Sequence, residues 1–353
     1  MRATWLHGRE ESRARAAALL PLHPAAWCYG AGARLHRALY SWGALERSRL
    51  PCQVVSVGSL AVGGTGKTPL AAWIATQLHR RGRKVVLASR GYGRRQRRSE
   101  RVVVVSDGRF VHSRAEEAGD EPLLLAAHAP GVPVLVGRDR ALVGLRAFSA
   151  FGADLLVLDD GFQHHRLHRD LDILSFDGTV GFGNGRVLPR GPLREPVEKI
   201  RFAHAIAVFD GPLPAVDEER IERWAPGAYR FVGRRRAEAL RPLAGGERVS
   251  PELLRGREVG VLAGLARPAS LRASVEALGA RMVAERSFRD HHRYRAGDLT
   301  GLARDAPLWV TTEKDAVKIP PAWAGAADVR VLVIEPEIER AGPFVDWLES
   351  RLR

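Results

Sequence analysis

Cysteine is scarce in this 353-residue chain, which has only Cys28 and Cys52. Two thiols cannot make a disulfide framework, and no CxxC or paired Cys/His spacing offers structural zinc, so a reducing compartment is expected. Lysine is nearly absent as well. Only Lys67, Lys84, Lys199, Lys314 and Lys318 stand among 55 basic residues, so arginine is the default cation. No apolar run reaches the ~20 residues that span a bilayer. The longest uncharged stretch, Ala16 to Ala33, is broken by Pro21, His23 and Pro24 and lacks a small-residue cleavage site behind a clean apolar core. A secretory signal is therefore not expected. Nor is the composition that of a disordered or collagen-like chain, because 45% hydrophobic and 27% charged residues are an ordinary globular mix. What is in excess is positive charge. A formal net charge of +15 implies attraction to something anionic: phosphates, nucleic acid or an acidic membrane surface.

From Pro24, a favoured first helical residue, Trp27, Ala31, Leu35, Ala38, Trp42 and Leu45 recur on one helical face. Arg34 and Arg37 flank that face, and Arg47 and Arg49 follow it. Tryptophan on an apolar stripe edged by arginine fits an interfacial helix. A helix packed on its own domain fits the same pattern, and both readings stay open at this point. Residues 1–50 are thus read as an N-terminal amphipathic segment. Strands and helices alternate after it. Strands are expected at 54–57, 84–88, 102–106, 132–136, 155–158, 172–176 and 205–209, with helices at 67–79, 121–128 and 140–150. Continuous β-branched runs separated by helices imply an α/β fold, a parallel sheet with helices on both faces. Asp210–Pro226, rich in proline and acidic residues, reads as a connection. A second alternation follows, with strands at 259–263, 308–311 and 329–334, an extended run at 281–288, and helices at 270–278 and near 343–352. Two α/β domains are expected, one over 51–225 and a smaller C-terminal one over 226–353.

The strongest motif runs from Val54-Val55-Ser56-Val57-Gly58 through Gly63-Gly64-Thr65-Gly66-Lys67-Thr68. An apolar strand enters a glycine loop, and Lys67-Thr68 open a helix. Backbone amides of such a loop cradle phosphates, and the helix N-terminus adds a positive dipole. Lys67 would reach the β- and γ-phosphates of ATP, and the Thr68 hydroxyl would ligate Mg²⁺. One consensus glycine is replaced by Ala61. Leu155-Leu156-Val157-Leu158-Asp159-Asp160-Gly161 then fits a Walker B strand, which brings a carboxylate to the metal. The 51–225 unit is accordingly expected to be P-loop NTPase-like. The Gly-Gly-Thr-Gly-Lys-Thr run is similar to the deviant loops of partitioning-type ATPases, which carry a lysine just before the glycine pair. Here that position is Val62, which favours a kinase over that mode.

With this loop, the segments Ser89-Arg90-Gly91-Tyr92-Gly93, Gly119-Asp120-Glu121-Pro122, Leu158 to His164, Gly191-Pro192-Leu193-Arg194-Glu195, Asp290-His291 and Thr311-Thr312-Glu313-Lys314-Asp315 follow in order. Together they resemble the tetraacyldisaccharide 4'-kinase family, the lipid A 4'-kinases of Gram-negative bacteria, over nearly the whole chain. Ser59 departs from it, standing where the family commonly has asparagine. The resemblance implies transfer of the γ-phosphate of ATP to the 4'-hydroxyl of a tetraacylated disaccharide 1-phosphate. It also implies a peripheral place on the cytoplasmic face of the inner membrane. Such a substrate and the anionic leaflet around it would account for the amphipathic helix and the basic charge. By the same resemblance Asp120 is the general base, His291 its partner, and Lys67 completes the catalytic set. ATP is expected at Gly63, Gly64, Thr65, Gly66, Lys67 and Thr68, and Mg²⁺ at Thr68, Asp159 and Glu195. Arg90, Gly91, Tyr92, Arg140, Asp160, Gly161, Gln163 and Arg194 are expected to bind the lipid disaccharide.

Read by spacing alone, Asp120 is a helix-start carboxylate favoured by the dipole, and His291 is a loop histidine. The Arg94-Arg95-Gln96-Arg97-Arg98 run suits nucleic acid or a solvated loop in isolation; no aromatic residues are interleaved beyond Tyr92, which weakens a stacking platform for single strands, and anionic lipid head groups are at least as good a partner. Neither nucleic acid nor an obligate protein partner is expected. The competing expectation is a P-loop switch ATPase acting on a protein or nucleic acid. No role is assigned to Thr311–Asp315 beyond nucleotide or interdomain contacts.

Overall fold

The structure is a computed structural model, and it describes residues 17–91, 102–265 and 268–352. In chain order its elements begin with helix α1 (Leu22–Ser41), strand β1 (Gln53–Gly58), α2 (Lys67–Arg80), β2 (Val85–Ser89) and β3 (Val102–Ser106). They continue with α3 (Ala115–Ala118), α4 (Asp120–His128), β4 (Val134–Gly137), α5 (Arg140–Phe151), β5 (Leu155–Asp159), β6 (Leu171–Asp177) and β7 (Ala205–Phe209). Next come α6 (Ala215–Trp224), β8 (Tyr229–Pro242), β9 (Glu258–Ala263), α7 (Pro268–Ala277), β10 (Arg281–Ser287) and α8 (Leu302–Asp305). The last are β11 (Leu308–Thr312), α9 (Glu313–Ala316), β12 (Asp328–Ile338) and α10 (Ala341–Arg351).

Among the described residues these strands form one sheet of twelve, in the order β10-β9-β11-β12-β8-β7-β6-β1-β5-β2-β4-β3. The pairings are parallel except β8 with β12 and β3 with β4. β8 is the join. It pairs in parallel with β7 and in antiparallel with β12, so the two alternations share one continuous ladder. The segment expected as a plain connection contains helix α6, because Asp217 and Glu218 fall in its first turn, where carboxylates meet the positive end of the dipole.

Successive side chains of a strand point to opposite faces, and the core divides accordingly. Val55, Val57, Leu155 and Val157 face Leu70, Ile74 and Leu78 of α2 and Phe344 and Leu348 of α10. Val54, Leu156 and Leu158 face Val143 and Ala147 of α5. The last helix packs on the phosphate-loop helix: Trp73 and Phe344 stack with ring centroids 6.2 Å apart. Sheet order, this docking and the β8 ladder set the C-terminal ends of β1, β5, β6 and β7 side by side. That edge is where open α/β sheets bind ligands.

α1 lies against the sheet unit in an unusual orientation. Its buried residues are Ala26, Gly30 and Arg37, whereas Trp27, Leu35 and Trp42 are 73%, 55% and 75% exposed. The apolar stripe read from the sequence therefore faces outward, and a narrow small-residue face packs inward. Arg37, expected at the edge of that stripe, is instead buried. Among the described residues no helix is long and apolar enough to cross a membrane.

Candidate active site

β1 delivers the glycine loop, and two glycines fix its path. Gly63 (φ +110°) and Gly66 (φ +79°) occupy backbone conformations that side chains resist, and Gly66 is the residue that starts α2. The loop's outer limb is held by the Gly191–Arg194 segment: Val62 N–H donates to the Pro192 carbonyl (2.9 Å), and Arg194 N–H to that of Leu60 (2.7 Å). This pairing sets Arg194 beside the end of β5. Its guanidinium donates to both Asp160 oxygens at 2.8 and 2.7 Å. Asp160 is itself strained, with φ +55°. Gly161 follows because a Cβ there would come within 2.8 Å of Leu158 and Ser56.

The Thr68 hydroxyl donates to the two Asp159 oxygens at 3.3 and 3.1 Å. Asp159 is 1% exposed. Burial pushes its carboxyl up to about 7, helped by the charges of Glu121 and Asp160 and opposed by Lys67 and Thr68. The two neighbouring aspartates thus differ, as residues on opposite sides of a strand end can. At Asp160 burial also raises, but Lys67 and Arg194 more than offset it and hold the group below the usual carboxylate range. A hydroxyl and a buried carboxylate with too little positive charge form a hard-oxygen pair that suits Mg²⁺. Among the described residues no three His, Cys, Asp or Glu side chains form a metal cage. Glu121 joins Asp159 here through its charge, and the sequence reading did not single it out.

Asp120 opens α4 and is 5% exposed. Its Oδ2 lies 3.0 Å from His291 Nδ1 and 4.0 Å from the ammonium groups of both Lys314 and Lys318. Burial raises the Asp120 carboxyl, but the His291 hydrogen bond and the two lysines outweigh it, so it sits below the usual range. His291 is raised, chiefly by its bond to Asp120. The Thr311–Asp315 run now has a place. Lys314 reaches Asp290 (3.0 Å) and His291 Nε2 (3.3 Å), while Asp315 holds Lys318 at 2.9 Å. Glu313 binds His128 at the far end of α4, also at 3.0 Å. α4 is thus clamped at both ends by β11–α9.

The remaining expected residues are spread around these groups. Gln163 donates to the Ser59 carbonyl (3.1 Å) under the loop. Arg140 is buried and donates to the Gly137 carbonyl (2.5 Å); its charge also acts on Asp160. Arg90 is exposed at the end of β2, followed by buried Gly91. Tyr92 and the Arg94–Arg98 run lie outside the described residues. Glu195 stands apart from the Thr68–Asp159 pair in its contacts. Its Oε2 takes a hydrogen bond from Arg37 of α1 at 3.0 Å, both side chains being at most 5% exposed, and that guanidinium also lies over Phe202 and Phe162. Glu195 thus anchors α1. Arg37→Ala would strand a buried carboxylate, and about 3–5 kcal/mol of stability should be lost. Thermal unfolding tests this: a midpoint within about a degree of the parent's would mean the pair does not hold α1.

The family model for tetraacyldisaccharide-1-P 4'-kinase matches residues 18–353. A curated tetraacyldisaccharide 4'-kinase of Anaeromyxobacter dehalogenans (strain 2CP-1 / ATCC BAA-258) is 46% identical over 322 residues, covering 88% of this chain and 84% of its own. That of Alkalilimnicola ehrlichii is 42% identical over 350 residues, covering 99% and 96%. A solved structure of LpxK from Aquifex aeolicus in complex with ATP superimposes with a TM-score of 0.77 at 32% identity, over 95% of this chain and all of that one. On the strength of the match along nearly its full length, the chain belongs to the tetraacyldisaccharide-1-P 4'-kinase family.

Proposed function

We infer that the protein moves the γ-phosphate of ATP to the 4'-hydroxyl of a tetraacylated disaccharide 1-phosphate in lipid A synthesis. The family it belongs to carries that activity in its name, and the Aquifex relative was solved with ATP. Of the structural observations, one carries the reading. A buried carboxylate, Asp120, is oriented by His291 at 3.0 Å and is followed directly by Glu121, whose charge acts on the Thr68–Asp159 pair. A base beside a phosphate loop is what an alcohol acceptor requires. The acceptor oxygen forms its bond to the γ-phosphorus as the bond to the β-phosphate oxygen breaks; its proton passes to Asp120 and ADP departs. Lys67 and Arg194 face the transferring group and offset its charge. Thr68 and Asp159, with Glu121 beside them, would hold Mg²⁺, which would supply neutralisation of the phosphate charge. No observation favours the switch ATPase. The deciding experiment is transfer from labelled ATP to a total anionic lipid extract, with mass analysis of the product; ATP turnover independent of any lipid would sink the kinase reading.

The same reading places the protein peripherally on the cytoplasmic face of the inner membrane, where the acyl chains of its substrate lie. Support comes from α1, whose Trp27 and Leu35 stand outward together with Trp42 just past its end, as an interfacial helix requires. Arg47 and Arg49 are exposed beyond it, and the half-exposed Arg34 pairs with Glu198 at 2.8 Å. At about 1 kcal/mol per basic residue near an anionic leaflet, high salt should weaken but not abolish binding to phosphatidylglycerol-containing vesicles. Trp27→Ser with Trp42→Ser should abolish it. Co-sedimentation checks both, and a parent protein that stays in the supernatant at low salt would make α1 merely structural.

A further inference from the structure

The phosphate loop is held from beneath by groups that no sequence motif marks. Arg235 lies on β8, two positions past the last β7–β8 pair, Phe209 with Gly233. Its guanidinium makes three kinds of contact. Nη2 donates to Asp177 at the end of β6 (2.8 Å), Nε donates to Asp210 at the end of β7, and Nη1 donates to the carbonyl of Gly64 inside the loop (3.2 Å). Asp177 is 3% exposed. Asp210 takes a left-handed backbone, φ +60°, a strain that non-glycine residues hold only where surroundings enforce it; it also accepts the Arg235 N–H at 2.7 Å. One residue further along the loop, the Thr65 carbonyl accepts the hydroxyl of Ser175, a fully buried residue of β6.

The geometry points to Arg235 as a positioning residue for nucleotide, which acts by fixing which way the loop's peptide planes face, with Ser175 as its companion. In a trans peptide the C=O and the next N–H point in opposite directions. Tying down the carbonyls of Gly64 and Thr65 therefore turns the amides of Thr65 and Gly66 to the other side of the chain. On that side the Thr65 N–H and the Lys67 ammonium both meet the Gly63 carbonyl, at 3.1 and 3.4 Å. Two donors converging on one oxygen form a site that a phosphate oxygen can occupy in its place. A planar fork suits this task better than an ammonium, because it serves two carboxylates and a carbonyl at once. β8 is also the strand that joins the two halves of the sheet, so Arg235 links the loop to the ladder that carries the second unit.

This inference rests on the reading of Gly63–Thr68 as the nucleotide site, and the test separates the two. Initial rates are measured on the full chain with detergent-solubilised tetraacyldisaccharide 1-phosphate, varying Mg-ATP and acceptor separately, together with Mg-ADP binding and thermal midpoints. Arg235→Gln should raise the KM for Mg-ATP about tenfold, the scale of a lost charge-assisted bond, and leave the acceptor KM unchanged. Arg235→Lys should recover part of the loss, and Ser175→Ala should move the same constant in the same direction by less. A purely structural arginine would lower the thermal midpoint and leave the KM for Mg-ATP alone. A folded Arg235→Gln with the parent's KM for Mg-ATP overturns the proposal; if that variant does not fold, the parent's KM in both Arg235→Lys and Ser175→Ala does so. Lys67→Ala is the control on the underlying reading: parental turnover in that variant means the loop is not the nucleotide site at all.

Discussion

Lys67→Ala is expected to lower turnover by on the order of a thousandfold while leaving the fold in place. The Lys67 ammonium is 11% exposed and lies 3.9 Å from Asp160, a carboxylate already satisfied by Arg194 at 2.7 Å. Removing the lysine therefore orphans no buried partner, and the thermal midpoint should barely move. The loss falls on catalysis by two routes. Charge on the transferring phosphoryl group is no longer offset by a cation fixed at the helix start. Asp159, which Lys67 helps to hold ionised against burial, would also shift further toward its neutral form, and a protonated carboxyl is a poor metal ligand. Raising Mg²⁺ should then recover a small part of the rate, whereas raising ATP alone should not. Single-turnover transfer at saturating ATP, read beside the melting curve, checks both halves. Parental turnover would end the phosphate-loop reading.

How much of this site was legible in the sequence depends on whether local pattern or tertiary packing creates each part. The loop and α2 were legible because glycines, an apolar strand and a helix start are local signals. β5 and its aspartates were legible for the same reason. β8 was not. Its side chains alternate, with Phe231 and Gly233 inward among Arg230, Arg234 and Arg236, and so charged a run does not stand out as a strand although it binds two neighbours. With it went Arg235, and with Arg235 the continuity of the sheet. The stripe on α1 was legible as a pattern, but period alone does not say whether an apolar face meets the core or the solvent. Arg37 illustrates the cost of that ambiguity: a flanking cation by spacing, it is a buried partner of Glu195 in space. Asp120 and His291 stand 171 residues apart. No spacing rule joins them; only the family resemblance did. Lys314 and Lys318 were visible as rare lysines in a chain of arginines, a signal that pointed to them without saying what they touch.

Loss of Asp120 should cost on the order of a hundredfold or more in kcat with the KM for ATP little changed, because a positioned base acts on the acceptor's proton and not on nucleotide binding. His291→Ala should cost less. The imidazole supplies the largest of the attractions that hold Asp120 ionised against burial, so removing it should raise the carboxyl and move the acid limb of the pH–rate profile to higher pH. Lys314→Met should shift that limb the same way, since its charge is the next strongest. The signs carry over to stability. A depressed Asp120 contributes above the usual carboxylate range and is lost as pH falls through its lowered value. A raised His291 contributes below the usual imidazole range and is lost as pH rises through its own. The pair should therefore add stability in the window between, from mildly acid to near-neutral pH. Base and partner come from opposite halves of the shared sheet. If His291 works only through Asp120, the double variant will be no worse than Asp120→Ala alone, as a helper has nothing to act on once its base is gone. Losses that add in full across that cycle would mean the two residues act independently, and the acid limb of His291→Ala would then stay where the parent's lies.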